Sequence, residues 1–427
     1  MKMIKTPLFI LFFLCFSTAL KAQYIQVTDT YSAPQLVEDV LINSSCASVS
    51  NISVTGYNFN DGKKSYGRFS GTGTTFPFTD GIILSTGKAI SAKGPNSSTL
   101  SEGPSSWAGD SDLENALSIG NSSVNATVLE FDFMPLGDKI SFNYIFSSEQ
   151  YLSSPSASQC SYTDGFVFLL KEANTSNAYQ NLAVVPGTAI PIKSNTVRGP
   201  GTICPPANAQ YFDAFNEYQH PTNFNGQTKV LKAESSVTPG TLYHIKLVVA
   251  DQGNNLYDSA IFLGAGSFKI QKDLGPDRLL ATQNPLCEGS TLNLDATTTN
   301  AISYQWLKNN VTISGATNAT YTVTETGVYS VQIELSGSCF STGEITVEYS
   351  PKPAQINTQL IQCDEDNDGL AFFNLSQATN TITANNSSLY ASYFLTSQNA
   401  TDDISAIANS SNFENTQSIV YARVEND

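Results

Sequence analysis

The sequence predicts an all-β protein: a jelly-roll-like β-sandwich, then an immunoglobulin-like β-sandwich, then a partial third β module. Three observations carry this. Short apolar runs alternate with Gly-, Asn- and Ser-rich turns along most of the chain, the spacing of antiparallel strands. Ile140, Phe142, Tyr144 and Phe146 alternate with Ser141, Asn143 and Ser147, the period-two pattern of a half-buried strand. No long amphipathic helix pattern interrupts the series, and at 427 residues several domains are expected.

Residues 1–22 read as a secretory signal peptide. Lys2 and Lys5 form a basic start, residues 8–16 (LFILFFLCF) an apolar stretch, and small or polar residues run to Ala22. Cys15 follows Phe12 and Leu14 in that stretch, which does not suit lipoprotein cleavage. No later apolar run approaches the ~18 residues of a membrane span. The mature chain is expected to be secreted or displayed at the cell surface, without a transmembrane segment.

The sequence holds 37 acidic and 21 basic residues. Lys2, Lys5 and Lys21 leave with the signal, so the mature balance is 37 against 18, a net of −19. No basic cluster stands ready to neutralise phosphates, which argues against nucleic acid as a partner. Cys46, Cys160, Cys204, Cys287, Cys339 and Cys363 remain after export. Disulfides are their default state there. The absence of CxxC spacing disfavours zinc.

The first domain is placed at residues 23–269. Leu36, Val37, Val40 and Leu41 suggest a helical turn, and Val49, Ile52 and Val54 a strand. Ile82, Ile83 and Leu84 read as buried. Residues 92–125 read as a surface loop with Trp107, the acids Asp110, Asp112 and Glu114, and one helical turn near residues 113–117. In VLEFDF, Leu129, Phe131 and Phe133 alternate with Glu130 and Asp132. Residues 140–170 follow, closing on FVFLL, a run apolar on both faces and therefore a covered strand. A polar loop over residues 193–227 contains Cys204. Ile245, Leu247 and Val249 then alternate along a strand that leads through Asp251 and Asp258 to the closing run IFL. Cys160 and Cys204 both lie in polar loops, where a bridge would tie the two together. That pairing leaves Cys46 without a partner in its own domain: either Cys46 is buried and free, or Cys160 and Cys204 do not pair with each other.

LVEDVL, TDGIILSTGKA, VLEFDF, FNYIFSSEQY, DGFVFLL, VVPGT, FNGQTKVLKA and YHIKLVVADQGNNLYDSAIFLGAGSF together resemble the choice-of-anchor L domain. The resemblance covers about residues 35–268, in order. The family occurs in surface and secreted proteins of flavobacteria and their relatives. It implies surface display and adhesion or binding, with no known reaction. One departure is Gln150, where the family usually carries a second acid beside Glu149.

Residues 270–350 read as an immunoglobulin-like or PKD-like module. Trp306 stands mid-strand where such folds place their core tryptophan, and Tyr329 where they place a tyrosine corner. Val331 stands where the inter-sheet cysteine would be. Cys287 and Cys339, at strand ends, are expected to pair. Residues 351–427 begin a third module that looks like repeats of flavobacterial, type IX-sorted surface proteins. It stops at IVYARVEND inside an apparent repeat, as a fragment would.

Two acidic sets suit Ca²⁺, a hard cation that takes six to eight oxygens. One is Asp364, Asp366 and Asp368 before Gly369, the first half of an EF-hand loop with Leu375 where its glutamate should stand. The other is Glu149, Asp164, Asp251 and Asp258, each at or beside a strand end. The competing reading of both is a set of turn-capping carboxylates. No nucleophile accompanies His220 or His244, the two histidines of the chain. The sequence therefore predicts a non-catalytic adhesion or binding protein that meets a cell-surface glycan or protein and is stabilised by Ca²⁺. The alternative is a secreted carbohydrate-active hydrolase using Glu149 with Asp164 or Asp251, a carboxylate pair of the glycosidase kind.

Overall fold

The computed structural model describes residues 23–42, 47–336, 339–354, 356–364, 366–415 and 419–426. The expected signal peptide and Cys46 lie outside the described residues. The chain divides into two compact units. One runs up to Gly275 and includes residues 294–321 and 329–345; the other holds residues 276–293, 322–328 and 346–427.

The first unit is built on two sheets. Its strands are β1 (Gln26–Thr28), β2 (Ala47–Thr55), β3 (Tyr66–Ser70), β4 (Asp80–Ser85), β5 (Ser123–Pro135), β6 (Lys139–Ser148), β7 (Gly165–Glu172), β8 (Gln180–Asn181), β9 (Phe212–Phe215), β10 (Gly226–Thr228), β11 (Leu231–Ser236), β12 (Tyr243–Gln252), β13 (Ser259–Gly264) and β14 (Lys269–Gln271). One sheet follows the order β1-β3-β4-β13-β6, with β10, β11 and β14 also on β6; the other follows β2-β5-β12-β7-β8. All these pairings are antiparallel.

Alternation fills the space between the sheets. Ile140, Phe142, Tyr144 and Phe146 of β6 meet Phe131, Phe133, Phe166, Phe168, Ile245 and Leu247 from the opposite sheet, all buried. The Phe142 ring meets Phe168 edge-on at 4.3 Å between centroids. The helical turn is present as Gln35–Ile42 and buries Leu36, Val37, Val40 and Leu41.

One expectation for β6 needs correction. Its second face is not a solvent face: Ser141 and Ser147 are buried, and Ile145 packs with Phe69, Phe262, Phe224 and Leu100. Leu100 and Phe224 come from the long polar loops, which fold back over the sheet. Residues 92–125 are thus partly a cover. Trp107 is buried with its indole N–H donated to Ala126 O.

The helical turn near residues 113–117 is α1 (Ser111–Leu117). Asp110 caps it by accepting from the backbone N–H of Asp112 and Leu113. Leu113 and Leu117 cover Val128, Val167 and Val248 on the outer face of the five-stranded sheet.

The immunoglobulin-like strands are β15 (Ser303–Lys308), β16 (Val311–Thr312), β17 (Gly327–Ser336) and β18 (Cys339–Val347), of which all but residues 327–328 and 346–347 fall in this unit. They continue the first sheet, because β14 pairs in parallel with β18 at Gln271 and Thr342. Trp306 and Tyr329 are buried, and Trp306 donates to Asn318 O. The expected Cys287–Cys339 bridge is not formed. Cys287 is an exposed free thiol, whereas Cys339 is buried and disulfide-bonded, and not to Cys287. A sulfur turned to solvent does not meet one that points into a core.

In the second unit, Leu286–Cys287 pairs with Tyr349–Ser350. Ala371–Phe373 pairs with Phe413–Asn415, and Leu389–Phe394 with Tyr421–Asn426. Leu375, Ile382 and Tyr393 form a small core beside an open trough of about 1070 Å³.

Candidate functional site

The four strand-end acids of the first domain converge. Glu149 follows β6, Asp164 precedes β7, Asp251 lies in β12 at a register shift after Val249, and Asp258 precedes β13. All four are fully buried. Glu149 N–H donates to Asp258 O at 3.0 Å, and Asp258 N–H to Leu100 O at 2.9 Å. Glu149 Oε1 accepts from Leu100 N–H at 3.0 Å. Both Asp258 oxygens accept from Glu102 N–H at 3.0 Å. Asp164 accepts from Gln252 N–H at 3.1 Å and from the Ser259 hydroxyl at 2.8 Å.

Local backbone chemistry holds these positions. Tyr257, just before Asp258, has φ +65°, a strained value for a bulky residue. Its N–H donates to Ser101 Oγ, and its hydroxyl accepts from Gln159 Nε2. Gly87 lies so close that a Cβ there would stand 2.0 Å from Asp258 Oδ2. Cys160 and Cys204 are disulfide-bonded, Cα to Cα 5.3 Å, tying the loop before Asp164 to the loop after residue 193.

The electrostatics are unusual for a folded core. Burial pushes Glu149 up to about 8 and Asp164 up to about 7. Asp258 rises to about 8 through burial and the neighbouring Glu102, Glu149 and Asp164. Asp251 stands well above the carboxylate range, through burial and then Asp164 and Asp258. Among the described residues, no lysine, arginine or histidine acts on any of the four. Among the described residues, Glu149 Oε2 and both oxygens of Asp251 have no hydrogen bond of good geometry, nor do the buried Gln150 Oε1 and Thr163 Oγ1; the Thr86 side chain and the Asn225 backbone approach Asp251 and Glu149 and offset a little of the effect of burial. Thr86, Glu102 and the Gly87 approach complete the setting. Nothing in the sequence marked the closeness of Gly87 to Asp258.

The second acidic set lies in the other unit. Asp364, Asp366 and Asp368 have carboxylate oxygens within 4.8 Å of one another, the sole such trio among the described residues. Gly369 N–H occupies Asp364 Oδ2 at 2.9 Å and Leu370 N–H occupies Asp368 Oδ1 at 2.8 Å.

A cleft of about 250 Å³ opens on the outer face of the five-stranded sheet. Thr55, Gly56, Trp107, Asp110, Glu130 and Lys246 line it. The register sets Lys246 opposite Glu130 and His244 opposite Asp132. Lys246 Nζ lies 2.7 Å from Asp110 and Asp112 and 4.0 Å from Glu130. His244 Nδ1 lies 2.7 Å from Asp132, and Nε2 3.8 Å from Glu130. Trp107 stacks on Tyr57 at 5.2 Å. The alternation in VLEFDF and YHIKL placed these charges on one face, but their pairing needed a register that the sequence does not state.

The fold and its sites define a two-sheet β-sandwich with an acid-filled end and a charged cleft on one outer face. The chain belongs to the choice-of-anchor L domain family, whose model matches residues 25–269. The model of the Flavobacterium inter-domain disulphide bond domain matches residues 359–427. Both matches point to a protein of the cell-surface or secreted type. No curated protein matches the chain. Among solved structures, a putative membrane anchored protein from Corynebacterium diphtheriae is similar at 9% identity, over 76% of this chain and 62% of that one. Its TM-score of 0.14 carries no argument, and the chain spans 62% of that protein's length. No helix among the described residues is long and apolar enough to cross a membrane.

Proposed function

We propose that the chain is a surface-displayed binding protein whose first domain takes sugar hydroxyls at the cleft beside Trp107. The cleft carries the reading. It joins an aromatic wall to Glu130, Asp110 and Lys246 on a sheet face that is partly covered by α1. Carboxylate acceptors, an ammonium donor and a flat ring are the groups that recognise a glycan. A volume of about 250 Å³ suits one sugar ring rather than a long chain.

The hydrolase alternative gains no support from the geometry. Glu149, Asp164 and Asp251 are fully buried, so no glycosidic bond reaches them. Display through further modules fits the surface families that the chain resembles.

A glycan array probed with the full mature chain tests the reading. Retention on a defined glycan class, reduced at least tenfold in Glu130→Gln, is the expected result. Glycan cleavage, or retention indifferent to Glu130→Gln, would overturn it.

The second family's name describes a disulfide between domains. Cys363 is the one cysteine within residues 359–427 and is an exposed free thiol. It is the residue that would supply such a bond, and Cys287 is the other exposed free thiol. Non-reducing peptide mapping of the exported protein should find Cys363 cross-linked. An unmodified thiol at Cys363 would remove the idea.

A further inference from the structure

Several acids elsewhere in the first unit are matched to cations. Asp110 and Asp112 hold Lys246, Asp80 holds Arg68, Asp138 holds Lys272, and Asp132 holds His244. Glu102 has Lys88 at 3.9 Å. Glu149, Asp164, Asp251 and Asp258 are buried more completely than any of these, and among the described residues no basic side chain acts on them.

An ionised carboxylate in a dry interior is costly without an opposite charge, and buried polar atoms are normally bonded. Here, among the described residues, neither Asp251 oxygen nor Glu149 Oε2 has a hydrogen bond of good geometry, and the Thr86 side chain and the Asn225 backbone only approach them. Gln150, beside Glu149 in the chain, and Thr163, beside Asp164, carry two more buried oxygens without a hydrogen bond among the described residues. The donor set is oxygen alone. It contains no sulfur or imidazole, which removes the usual ligands of zinc and copper. Many protein oxygens in a closed space suit Ca²⁺ better than Mg²⁺, which keeps several waters.

We propose that this acid-filled end is a Ca²⁺ site, with Asp251 as the chelating ligand and Asp164, Asp258 and Glu149 as the surrounding carboxylates. No three of these side chains yet bring oxygens within 4.8 Å of one another. Asp251 is the group that turns, because Thr86 alone approaches its carboxylate and neither oxygen has a hydrogen bond of good geometry. The ion clamps the end of β6, the start of β7, the end of β12 and the start of β13. These are central strands of both sheets, so the site fastens the sandwich across its core. The raised pKa values agree with a cluster built for a cation that the protein itself does not supply.

The inference is independent of the glycan reading, and its test does not involve glycan. The full mature chain is stripped with EGTA and melted with and without CaCl2. The expected shift is about 5–10 °C upward at calcium a hundredfold above Kd. The Asp366→Asn, Asp368→Asn double variant should keep that shift, since the exposed trio is a separate set. Asp251→Asn should lose it, and in EGTA should melt no lower than the parent, because an unpaired buried carboxylate has gone. A parent chain indifferent to calcium overturns the proposal. So does a shift that survives in Asp251→Asn or disappears with the exposed pair. If Asp251→Asn does not fold, hydrogen exchange of the parent decides: residues 98–103 and 250–259 gain protection with Ca²⁺, and no gain overturns the proposal.

Discussion

Asp132 and Asp251 belong to the same sheet, yet their surroundings treat them in opposite ways. Asp132 faces outward and finds His244 Nδ1 at 2.7 Å and Asn51 Nδ2 at 2.7 Å. Asp251 points inward, where Asp164 and Asp258 repel it. His244 gives a pH signature. Its pKa is raised by Glu130 first and then by Asp132, against some desolvation. A raised folded value means the stabilisation is complete below the unfolded value of about 6.5 and fades as pH rises through the folded one. Denaturant titrations at pH 5.5 and pH 8.5 should show a smaller loss in His244→Gln than in the parent; the loss common to both comes from Glu149, Asp164 and Asp258, whose raised values also favour the fold at the lower pH. The difference between the two chains is on the order of 1 kcal/mol or less, because the pair is part-exposed. Gly87→Ala should destabilise by roughly 1–3 kcal/mol, since its Cβ would overlap Asp258 Oδ2. A variant as stable as the parent in the same titration would show that Asp258 can move aside.

Strand β6 shows what periodicity can and cannot convey about an element. Its inward residues were legible, because alternation every two positions is a property of the strand itself. Phe142→Ala should cost about 3–5 kcal/mol in chemical denaturation, given a ring packed against both Phe168 and Phe268. The cover over the opposite face was not legible. It comes from loop residues such as Leu100 and Phe224, isolated among polar neighbours. Helix α1 was legible as one turn, because Asp110 precedes an apolar pair at suitable spacing. Removing the cap with Asp110→Ala should cost about 0.5–2 kcal/mol, and towards the upper end, since Lys246 loses a partner at 2.7 Å. Circular dichroism melting of that variant measures it.

At the scale of the first unit, the Cys160–Cys204 bridge closes 44 residues of sequence. Its removal in a Cys160→Ser, Cys204→Ser chain should lower stability by about 2–4 kcal/mol, mostly by freeing the unfolded chain. An unchanged denaturation midpoint would show that the unfolded chain is restricted by other means. The immunoglobulin-like strands extend the first sheet through β14 and β18. A composition-based boundary near residue 270 does not reveal that continuity, since one parallel backbone pairing leaves no mark in side-chain pattern.

By itself the sequence determined the all-β class, the aromatic core faces and the family, since these rest on local alternation, turn chemistry and ordered motifs; it offered the Cys160–Cys204 pairing, which the structure forms. It also named Glu149, Asp164, Asp251 and Asp258, because acids at strand ends are visible one at a time. Tertiary structure alone decided that the four meet in a closed interior without a basic partner, that Cys287 and Cys339 do not bond, and that Lys246 and Glu130 edge a cleft. Each of these depends on strand register and on which loop folds over which face. Those are contacts between residues as much as about 150 positions apart, and their energies come from burial and charge that exist only once the chain has closed.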